Sequence, residues 1–265
     1  MLVKEYNESL KINKNIFSDY GMSGIAYFDI ETTGFDKDDD NIILISFGKF
    51  NDEKNFCIKQ YYAESLEDEE EILYNFLTDL QKYNTWCSYN GIAFDEPFIG
   101  KRIEKHNVAL NTPKNHVDLY RIIRPYYKQL GIERCNLKGV EKYIGIKRED
   151  QIDGGISVDL YKEFLLTGED RLKNIIMLHN YEDVLSLPKI HEFIFNIENN
   201  KNLIRENVIT EKQLRYLKSL LNKNNILLDI DLERVSKKAA SRTIDQILKG
   251  CRDCNELSNI INNSY

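Results

Sequence analysis

Three strand patterns lie close together near the start of this chain, and strand and helix patterns alternate after them. Apolar runs and alternations predict five strands, at 25–30, 42–50, 55–62, 85–89 and 115–119. The short connections among the first three strands predict antiparallel neighbours. Helical spacing covers 68–82 and 95–106, and the chain after the fifth strand is mainly helical. This order predicts an α/β fold with a mixed five-stranded sheet flanked by helices.

The 265 residues allow one large domain, or one domain with a small appendage. A polar, asparagine-rich stretch at 196–202 predicts a boundary between a first domain at 1–200 and a small helical module at 201–265. In the module, Thr210 is a candidate N-cap of an amphipathic helix, and a second helix is predicted at 236–248. We expect the module to contact nucleic acid or to dock a partner protein.

The net charge of −7 is unevenly distributed, because residues 203–265 carry +3 and the rest of the chain carries −10. This distribution suits a metal-binding active site with an appendage that contacts the substrate. It suits a protein that does not bind nucleic acid just as well. No apolar run reaches 18 residues, and the first 15 residues lack the apolar core of a secretion signal. We therefore expect a cytoplasmic protein without a membrane span.

The five cysteines are an odd number scattered along the chain, which predicts free thiols rather than a disulfide framework. Cys251 and Cys254 form a CxxC pair. A zinc site normally needs four ligands, and no second pair of cysteines or histidines stands nearby in the sequence. We therefore expect this pair to lie on a helix surface.

Two carboxylates stand at the end of the first predicted strand. Asp29 and Glu31 are two residues apart, so both side chains point to the same face of a strand. When buried side by side, they repel each other and resist desolvation, and a cation between them relieves both effects. A solvated strand end explains the pair equally well, because Thr32, Thr33 and Gly34 begin a loop.

Two further segments place acids near the ends of predicted elements. Asp95 follows the fourth strand at the start of a helix, where an N-cap role accounts for it by itself. A strand end beside the first strand would also bring Asp95 towards Asp29. His179 and Asp183 are four residues apart on a long helix predicted at 172–195, so both project from one face. They form either a hydrogen-bonded pair of the core or part of a polar site.

Hard divalent cations such as Mg²⁺ and Mn²⁺ prefer oxygen ligands. A site for two such ions would form if four carboxylates converge, namely Asp29, Glu31, Asp95 and Asp183. Two ions ~3.5–4 Å apart stabilise the attacking and leaving oxygens of a phosphodiester displacement. His179 is predicted to deprotonate or orient the attacking water, because an imidazole titrates near working pH. The sequence therefore predicts a phosphodiester hydrolase with two Mg²⁺ or Mn²⁺ ions as cofactors.

Together these segments resemble the three motifs of the DEDD (DnaQ-like) 3′–5′ exonuclease superfamily, and more closely its YprB-like ribonuclease H-like group. The resemblance covers about residues 22–195 and keeps the order and spacing of the motifs. It rests on residues 27–34, 89–98, 116–119, 153–154 and 179–187.

The resemblance implies an RNase H-like fold and a 3′–5′ exonuclease that acts on single-stranded nucleic acid, with DNA favoured over RNA. It also implies that Asp29, Glu31, Asp95 and Asp183 are the catalytic metal ligands. In the tyrosine subgroup of this superfamily a tyrosine stands four residues before the last aspartate, and in the histidine subgroup a histidine usually stands five before it. Here His179 occupies the four-before position and still lies on the Asp183 face of the helix.

Four residues are further candidates for contact with the substrate, namely Asn90, Phe94, His116 and Asp118. Each also has a structural explanation: Asn90 as a turn residue, Phe94 as a core residue, His116 as a strand residue and Asp118 as the cap of the next helix. Arg148 is a candidate phosphate contact or a solvated surface residue. The sequence leaves these alternatives open.

Two alternatives to an exonuclease remain. An RNase or a structure-selective endonuclease would use the same acidic site. A non-catalytic nucleic-acid-binding or docking module is the other alternative, but a groove that binds phosphates gains nothing from four carboxylates.

Overall fold

The computed structural model describes residues 1–108, 115–262 and 264. The chain divides into two compact units: the first unit contains Met1–Leu119 and Val140–Phe195, and the second unit contains Tyr120–Gly139 and Asn196–Tyr265. That the chain folds as two separate domains with a boundary near residue 200 stays a prediction. Within the described residues, no helix has both the length and the apolar character that a membrane crossing requires.

Strands dominate the first part of the chain and helices the rest. The strands are β1 (Leu2–Ser9), β2 (Ile25–Thr32), β3 (Ile42–Phe50), β4 (Asn55–Tyr62), β5 (Thr85–Ser88) and β6 (Asn115–Asp118). The α-helices are α1 (Lys14–Asp19), α2 (Glu69–Leu80), α3 (Asp95–His106), α4 (Leu119–Ile123), α5 (Leu137–Ile144), α6 (Gly154–Thr167), α7 (Asp170–Glu198), α8 (Glu211–Lys223), α9 (Lys237–Leu248) and α10 (Cys254–Asn262). Short 3-10 turns lie at Met22–Gly24, Leu66–Asp68 and Leu232–Arg234.

The strands form a mixed sheet in the order β1-β4-β3-β2-β5-β6. The pairs β1–β4, β4–β3 and β3–β2 are antiparallel, whereas β2–β5 and β5–β6 are parallel. The predicted α/β class, mixed sheet and antiparallel first strands are therefore confirmed. Because β2 and β5 run in the same direction, their C-terminal ends lie at the same edge of the sheet.

Among the residues that the structure describes, the sheet has six strands, where the sequence predicted five. The additional strand is β1, which pairs along its whole length with β4 at the edge of the sheet. Its residues alternate between half-buried and exposed, and charged residues such as Lys4, Glu5 and Glu8 interrupt the apolar pattern. An edge strand held mainly by backbone hydrogen bonds does not need a strong apolar pattern, so the sequence pattern did not predict β1.

The centre of the sheet is buried on both faces. Every residue of β2 is buried except Asp29, which is half-buried, and this explains the continuous apolar run before that aspartate. The core continues into the helices of the first unit, with Phe76 from α2, Ile99 from α3, Tyr161 from α6 and Ile176 from α7. A rigid, fully packed strand therefore carries the first acidic motif.

Helix α7 approaches β3 closely where that strand has no side chain. A Cβ atom at Gly48 would lie 2.4 Å from Cζ of Phe56 and 2.8 Å from Cγ1 of Val184. Both distances are far shorter than a normal carbon–carbon contact. Glycine at this position therefore allows α7 to pack against the sheet with Val184 over β3.

The second unit contains α8, α9 and α10, with their own apolar core. Leu217, Ala239 and Leu257, one from each helix, are fully buried in it. The predicted N-cap is present, since Oγ1 of Thr210 accepts from the Gln213 N–H at 3.2 Å. Ser236 caps α9 in the same way and accepts from the Ala239 N–H at 3.0 Å. The predicted C-terminal helices are thus confirmed, and all five cysteines are free thiols as predicted.

Candidate metal centre

Asp29 and Glu31 lie on one face of β2 near its C-terminal end, as the strand period requires. Burial raises the pKa of Asp29 well above its usual range, and repulsion from Asp95, Asp183 and Glu31 raises it further. Burial likewise raises the pKa of Glu31 well above its usual range, and the charge of Asp183 adds to the effect. The charges of the neighbouring acids therefore oppose the ionisation of Asp29 and Glu31.

Asp95 joins this group from the start of α3. It is the first residue of the helix, and Phe94 holds the N-cap position, so the N-cap interpretation of Asp95 was wrong. Instead, its Oδ1 atom accepts a hydrogen bond from the N–H of Ile30, between the two acids of β2, at 3.2 Å. Burial nevertheless raises the pKa of Asp95 to about 7.

The turn before Asp95 is fixed by Asp118, at the end of β6. The two carboxylate oxygens of Asp118 accept from the N–H groups of Asn90 at 2.8 Å and of Ile92 at 3.3 Å. Asn90 has a φ of 67°, a left-handed conformation that asparagine tolerates. A Cβ atom at Gly91 would lie 2.2 Å from Oγ of Ser88, so only glycine fits there. Asp118 and Asn90 thus shape the turn that delivers Asp95.

The long helix α7 contributes His179 and Asp183, which lie one turn apart on the same face. The Nε2 atom of His179 is 3.7 Å from Oδ2 of Asp183 and 3.8 Å from Oε1 of Glu31. Its Nδ1 atom pairs with Oδ2 of Asp150 at 2.7 Å. One nitrogen therefore faces the acids of the cavity, and the other faces a buried carboxylate.

A row of polar side chains supports Asp29 from inside the sheet. The Nδ2 group of Asn180, which is fully buried, donates to Oδ2 of Asp29 at 2.7 Å. Ser46 donates to Asn180, and Gln60 donates to Ser46 at 2.8 Å and to the carbonyl of Met177 at 2.9 Å. The row orients the Asp29 carboxylate.

Arg148 lies among acids and does not reach into solvent, since only 8% of its side chain is exposed. Its guanidinium pairs with Glu141 and Asp150 at 3.1 Å and also binds Asp183. It donates to the carbonyl of His179 at 3.0 Å as well. Arg148 therefore offsets the charge of several carboxylates and holds the segment before α6 against α7.

An open cavity of about 250 Å³ lies over these residues. Asp29, Glu31, His179 and Asp183 line its floor, and Phe35 and Phe94 line its wall. The rings of Phe35 and Phe94 meet edge to face with their centres 6.1 Å apart, and Phe35 is 83% exposed. The cavity thus combines an acidic floor with an aromatic wall that a flat ligand can reach.

The donor set fits a hard divalent cation. Ligand atoms of Glu31, His179 and Asp183 all lie within 4.8 Å of one another, and all three residues are buried. Asp29 and Asp95 stand beside them, since the charge of Asp183 raises the pKa of both and the charge of Asp95 raises the pKa of Asp29. Buried carboxylates in such a group must either take up protons or share a cation. The residues present are therefore suited to hold Mg²⁺ or Mn²⁺.

Comparison with known proteins agrees with this fold. The sequence profile of the RNase H superfamily matches residues 26–195, which is more than half of the chain. The chain belongs to the RNase H superfamily. "Uncharacterized protein YprB" of Bacillus subtilis (strain 168) is 29% identical over 178 residues, which are 65% of this chain and 42% of that protein. This chain therefore spans less than half the length of its YprB relative, and the resemblance to the YprB-like group is confirmed.

Among solved structures, a family B DNA polymerase from the hyperthermophilic archaeon Pyrobaculum calidifontis is similar, with a TM-score of 0.49 and 17% identity. The match covers 86% of this chain and 27% of the polymerase chain. Membership of the RNase H superfamily by itself supports a nuclease-type function, and the buried acids and histidine suit the divalent metals that such enzymes use.

The predicted substrate residues occupy different places. Phe94 lies on the cavity wall, whereas Asn90 and Asp118 shape the turn described above. His116 bonds to Ser88 at 2.8 Å through Nε2 and to Glu96 at 2.7 Å through Nδ1, a structural position between β5 and α3. Their proposed contact with substrate stays a prediction, as do the catalytic roles of the four acids and His179.

The sequence patterns did not single out three further functional candidates, namely Asp150, Asn180 and Phe35. Asp150 lies 29 residues before His179 in an irregular segment, where no periodicity points to it. Asn180 had a signal, because the polar Ser46 and Gln60 interrupt apolar strands and pair in register with each other. Phe35 directly follows the first motif and is a large apolar residue in a polar loop.

Proposed function

We propose that this chain is a metal-dependent nuclease that hydrolyses phosphodiester bonds of single-stranded nucleic acid from the 3′ end, with DNA favoured. The observation that carries the proposal is a group of four acids from three elements. Asp29 and Glu31 of β2 and Asp183 of α7 line one cavity. Asp95 of α3 bonds to the Ile30 N–H between the two acids of β2, and its charge raises the pKa of Asp29. Because these acids come from three separate elements, a local structural role does not explain them. The superfamily supports nuclease chemistry in general, and the polarity and the substrate class belong to the proposal.

The four acids would hold two Mg²⁺ or Mn²⁺ ions, which, when bound, neutralise the charge that develops on the scissile phosphate. The chain orients these acids in advance. Asn180 holds Asp29, and the Ile30 N–H holds Asp95. Burial of the carboxylates limits competition from water and strengthens their attraction for cations.

The aromatic wall of the cavity supports a single-stranded substrate. Phe35 is largely exposed and is fixed by its edge-to-face contact with Phe94. An unpaired terminal base can stack on such a ring, whereas a base in an intact duplex is not accessible to it. The 3′ end of a nucleic acid bound in this way would place its last phosphodiester over the acidic floor of the cavity.

The test is a time course on 5′-labelled single-stranded DNA and RNA of one sequence, with MnCl₂, MgCl₂ or EDTA. We expect products that shorten one nucleotide at a time from the 3′ end, faster on DNA, and no cleavage in EDTA. Early internal fragments would favour a structure-selective endonuclease, and faster loss of the RNA would favour an RNase. Cleavage that continues unchanged in EDTA would refute a metal-dependent site.

Variants of the acids connect the activity to this site. Asp29→Asn and Asp183→Asn should each lower the cleavage rate by at least about a hundredfold, because a charged ligand is lost from the reacting centre. Asp170→Asn is the matched control, since it removes an exposed carboxylate from the same helix as Asp183. Full activity in both site variants would leave a non-catalytic binding module as the better explanation.

A further inference from the structure

The two ring nitrogens of His179 have different partners. Nδ1 is 2.7 Å from Asp150, whose side chain is only 1% exposed. Nε2 makes no hydrogen bond among the described residues and faces Glu31 and Asp183, 3.8 and 3.7 Å away. Because a carboxylate accepts hydrogen bonds, Nδ1 carries a proton in the Asp150 contact, and in the neutral imidazole the Nε2 lone pair is then directed at the acids.

This arrangement is typical of histidines that bind metals. Such a histidine almost always donates its other ring N–H to a carboxylate or carbonyl, which fixes the tautomer and the ring orientation. Two ligands about 2.1 Å from one ion lie roughly 3.0 Å apart at an octahedral angle and roughly 3.4 Å apart at a tetrahedral angle. The observed separations of 3.7 and 3.8 Å exceed the tetrahedral value by about 0.3–0.4 Å and the octahedral value by about 0.7–0.8 Å, which small side-chain rotations can close.

We propose that His179 is a metal ligand through Nε2, that Glu31 and Asp183 complete its side of the site, and that Asp150 positions the imidazole. The inference deepens the proposed function, which supplies the divalent ion. It replaces the water-activating role that the sequence predicted for His179. An imidazole ligand disfavours Mg²⁺, which demands oxygen ligands, so the site is expected to prefer Mn²⁺ to Mg²⁺.

The charges around His179 are consistent with a bound dication. Glu31 and Asp183 provide carboxylates on the Nε2 side; Arg148 binds Oδ1 of Asp183, and Oδ2 of Asp183 faces Nε2. On the Nδ1 side, the charge of Asp150 is offset by Arg148, at 3.1 Å. Asp150 can therefore act as a fixed hydrogen-bond acceptor for His179 and need not compete for the ion.

The position of His179 in the sequence agrees with this role. A histidine four residues before Asp183 lies one helical turn away, directly beside the aspartate on the same face. Both side chains can then bind the same ion. A base that takes a proton from water must keep its lone pair free, which a shared ion would prevent.

The test is metal binding by the whole chain, without substrate. MnCl₂ is titrated while the electron paramagnetic resonance of Mn²⁺ is recorded, and pulsed spectra are examined for coupling to ¹⁴N. Competition by MgCl₂ gives the affinity for Mg²⁺. Three variants are compared, namely His179→Gln, Asp150→Asn and His191→Gln.

For His179→Gln we expect a loss of the ¹⁴N coupling and at least a tenfold weaker affinity for Mn²⁺, with a much smaller change for Mg²⁺. For Asp150→Asn we expect a tenfold or greater loss of Mn²⁺ affinity with the ¹⁴N coupling retained, since outer partners of ligands typically contribute about 10–100-fold. Asp150→Asn keeps a hydrogen-bond acceptor, so it separates positioning from simple unfolding.

His191→Gln is the matched control, because His191 lies on α7, is as buried as His179, and bonds to the hydroxyl of Tyr27. It is about 18 Å from His179 along the helix axis. Its Mn²⁺ affinity and ¹⁴N coupling should equal those of the unsubstituted protein.

Mn²⁺ bound without ¹⁴N coupling, or an affinity within twofold of normal in His179→Gln, would overturn the ligand role. These results are independent of cleavage. A ¹⁴N-coupled Mn²⁺ site in a chain that cleaves no oligonucleotide would support the ligand role and overturn the proposed function. Cleavage by a chain without that coupling would do the reverse.

Discussion

Asp95→Asn should stabilise the metal-free protein at alkaline pH while removing its cleavage activity. Burial raises the pKa of Asp95 to about 7 from an ordinary value of 3.8. Between these values the folded protein binds one more proton than the unfolded chain. The stability that protonated Asp95 confers is therefore complete below about pH 3.8 and is lost progressively as the pH rises to 7.

The size of the effect follows from the same two pKa values. Their difference corresponds to roughly 4 kcal/mol at pH 8, since each pKa unit is about 1.4 kcal/mol. The titrations of Asp29 and Asp95 are linked, because the charge of Asp95 raises the pKa of Asp29. Part of this free energy is therefore shared, and we expect about 2–4 kcal/mol. Asparagine is uncharged at every pH and keeps an oxygen for the Ile30 N–H. The stabilisation should therefore be largest at pH 8 and vanish near pH 4.

Thermal unfolding in EDTA measures this directly. Trp86, the single tryptophan, is buried in β5, so its fluorescence reports on the first unit. An increase of about 2–4 kcal/mol corresponds to roughly 4–16 °C in midpoint temperature at pH 8. Added MnCl₂ should stabilise the unsubstituted protein more than the variant. Equal midpoint temperatures for the variant and the unsubstituted protein at pH 8 would refute the claim that burial destabilises the ionised Asp95 carboxylate. An increase of the same size at pH 4 would also refute it.

Three further predictions concern residues around the cavity. Asn180→Ala should weaken Mn²⁺ binding about 10–100-fold, because Asp29 loses the donor that orients it; an unchanged titration would contradict this. Arg148→Met should lower the free energy of unfolding by roughly 3–5 kcal/mol, since it leaves buried acids without a counter-charge, and Trp86 fluorescence would detect it. Phe35→Ala should leave stability within about 0.5 kcal/mol. The same variant should raise the KM for single-stranded oligonucleotides at least about fivefold, because base stacking on the ring is lost. An unchanged KM would exclude a contact between Phe35 and the end of the oligonucleotide.

Much of the fold follows from local patterns in the sequence. The bounds predicted for β3 and β4 agree with the structure, because long apolar runs between polar turns leave little freedom. The grouping of Asp29 with Glu31, and of His179 with Asp183, follows from the strand and helix periods alone. These parts of the candidate site could be predicted from the sequence because each depends on a single strand or helix.

What the sequence did not reveal depends on contacts between distant segments. Asp150 acquires its place only when the segment before α6 meets α7, and no short-range pattern encodes that meeting. Arg148 was expected at the surface or on a phosphate, but several surrounding acids hold it in the interior. Its charge gave no indication of burial, because the compensating carboxylates lie up to 35 residues away.

Gly48 has a consequence for the rotation of α7 about its own axis. Turning this helix by one residue would rotate its side chains by about 100° and direct Asp183 away from Glu31. Val184, the residue next to Asp183, packs on the strand at Gly48, where a Cβ atom would lie 2.8 Å from its Cγ1. A methyl group there would shift the helix and misalign the acid while leaving every proposed ligand in the sequence. Substitution of Gly48, which is not itself a proposed ligand, is therefore expected to abolish cation binding in a chain that still folds.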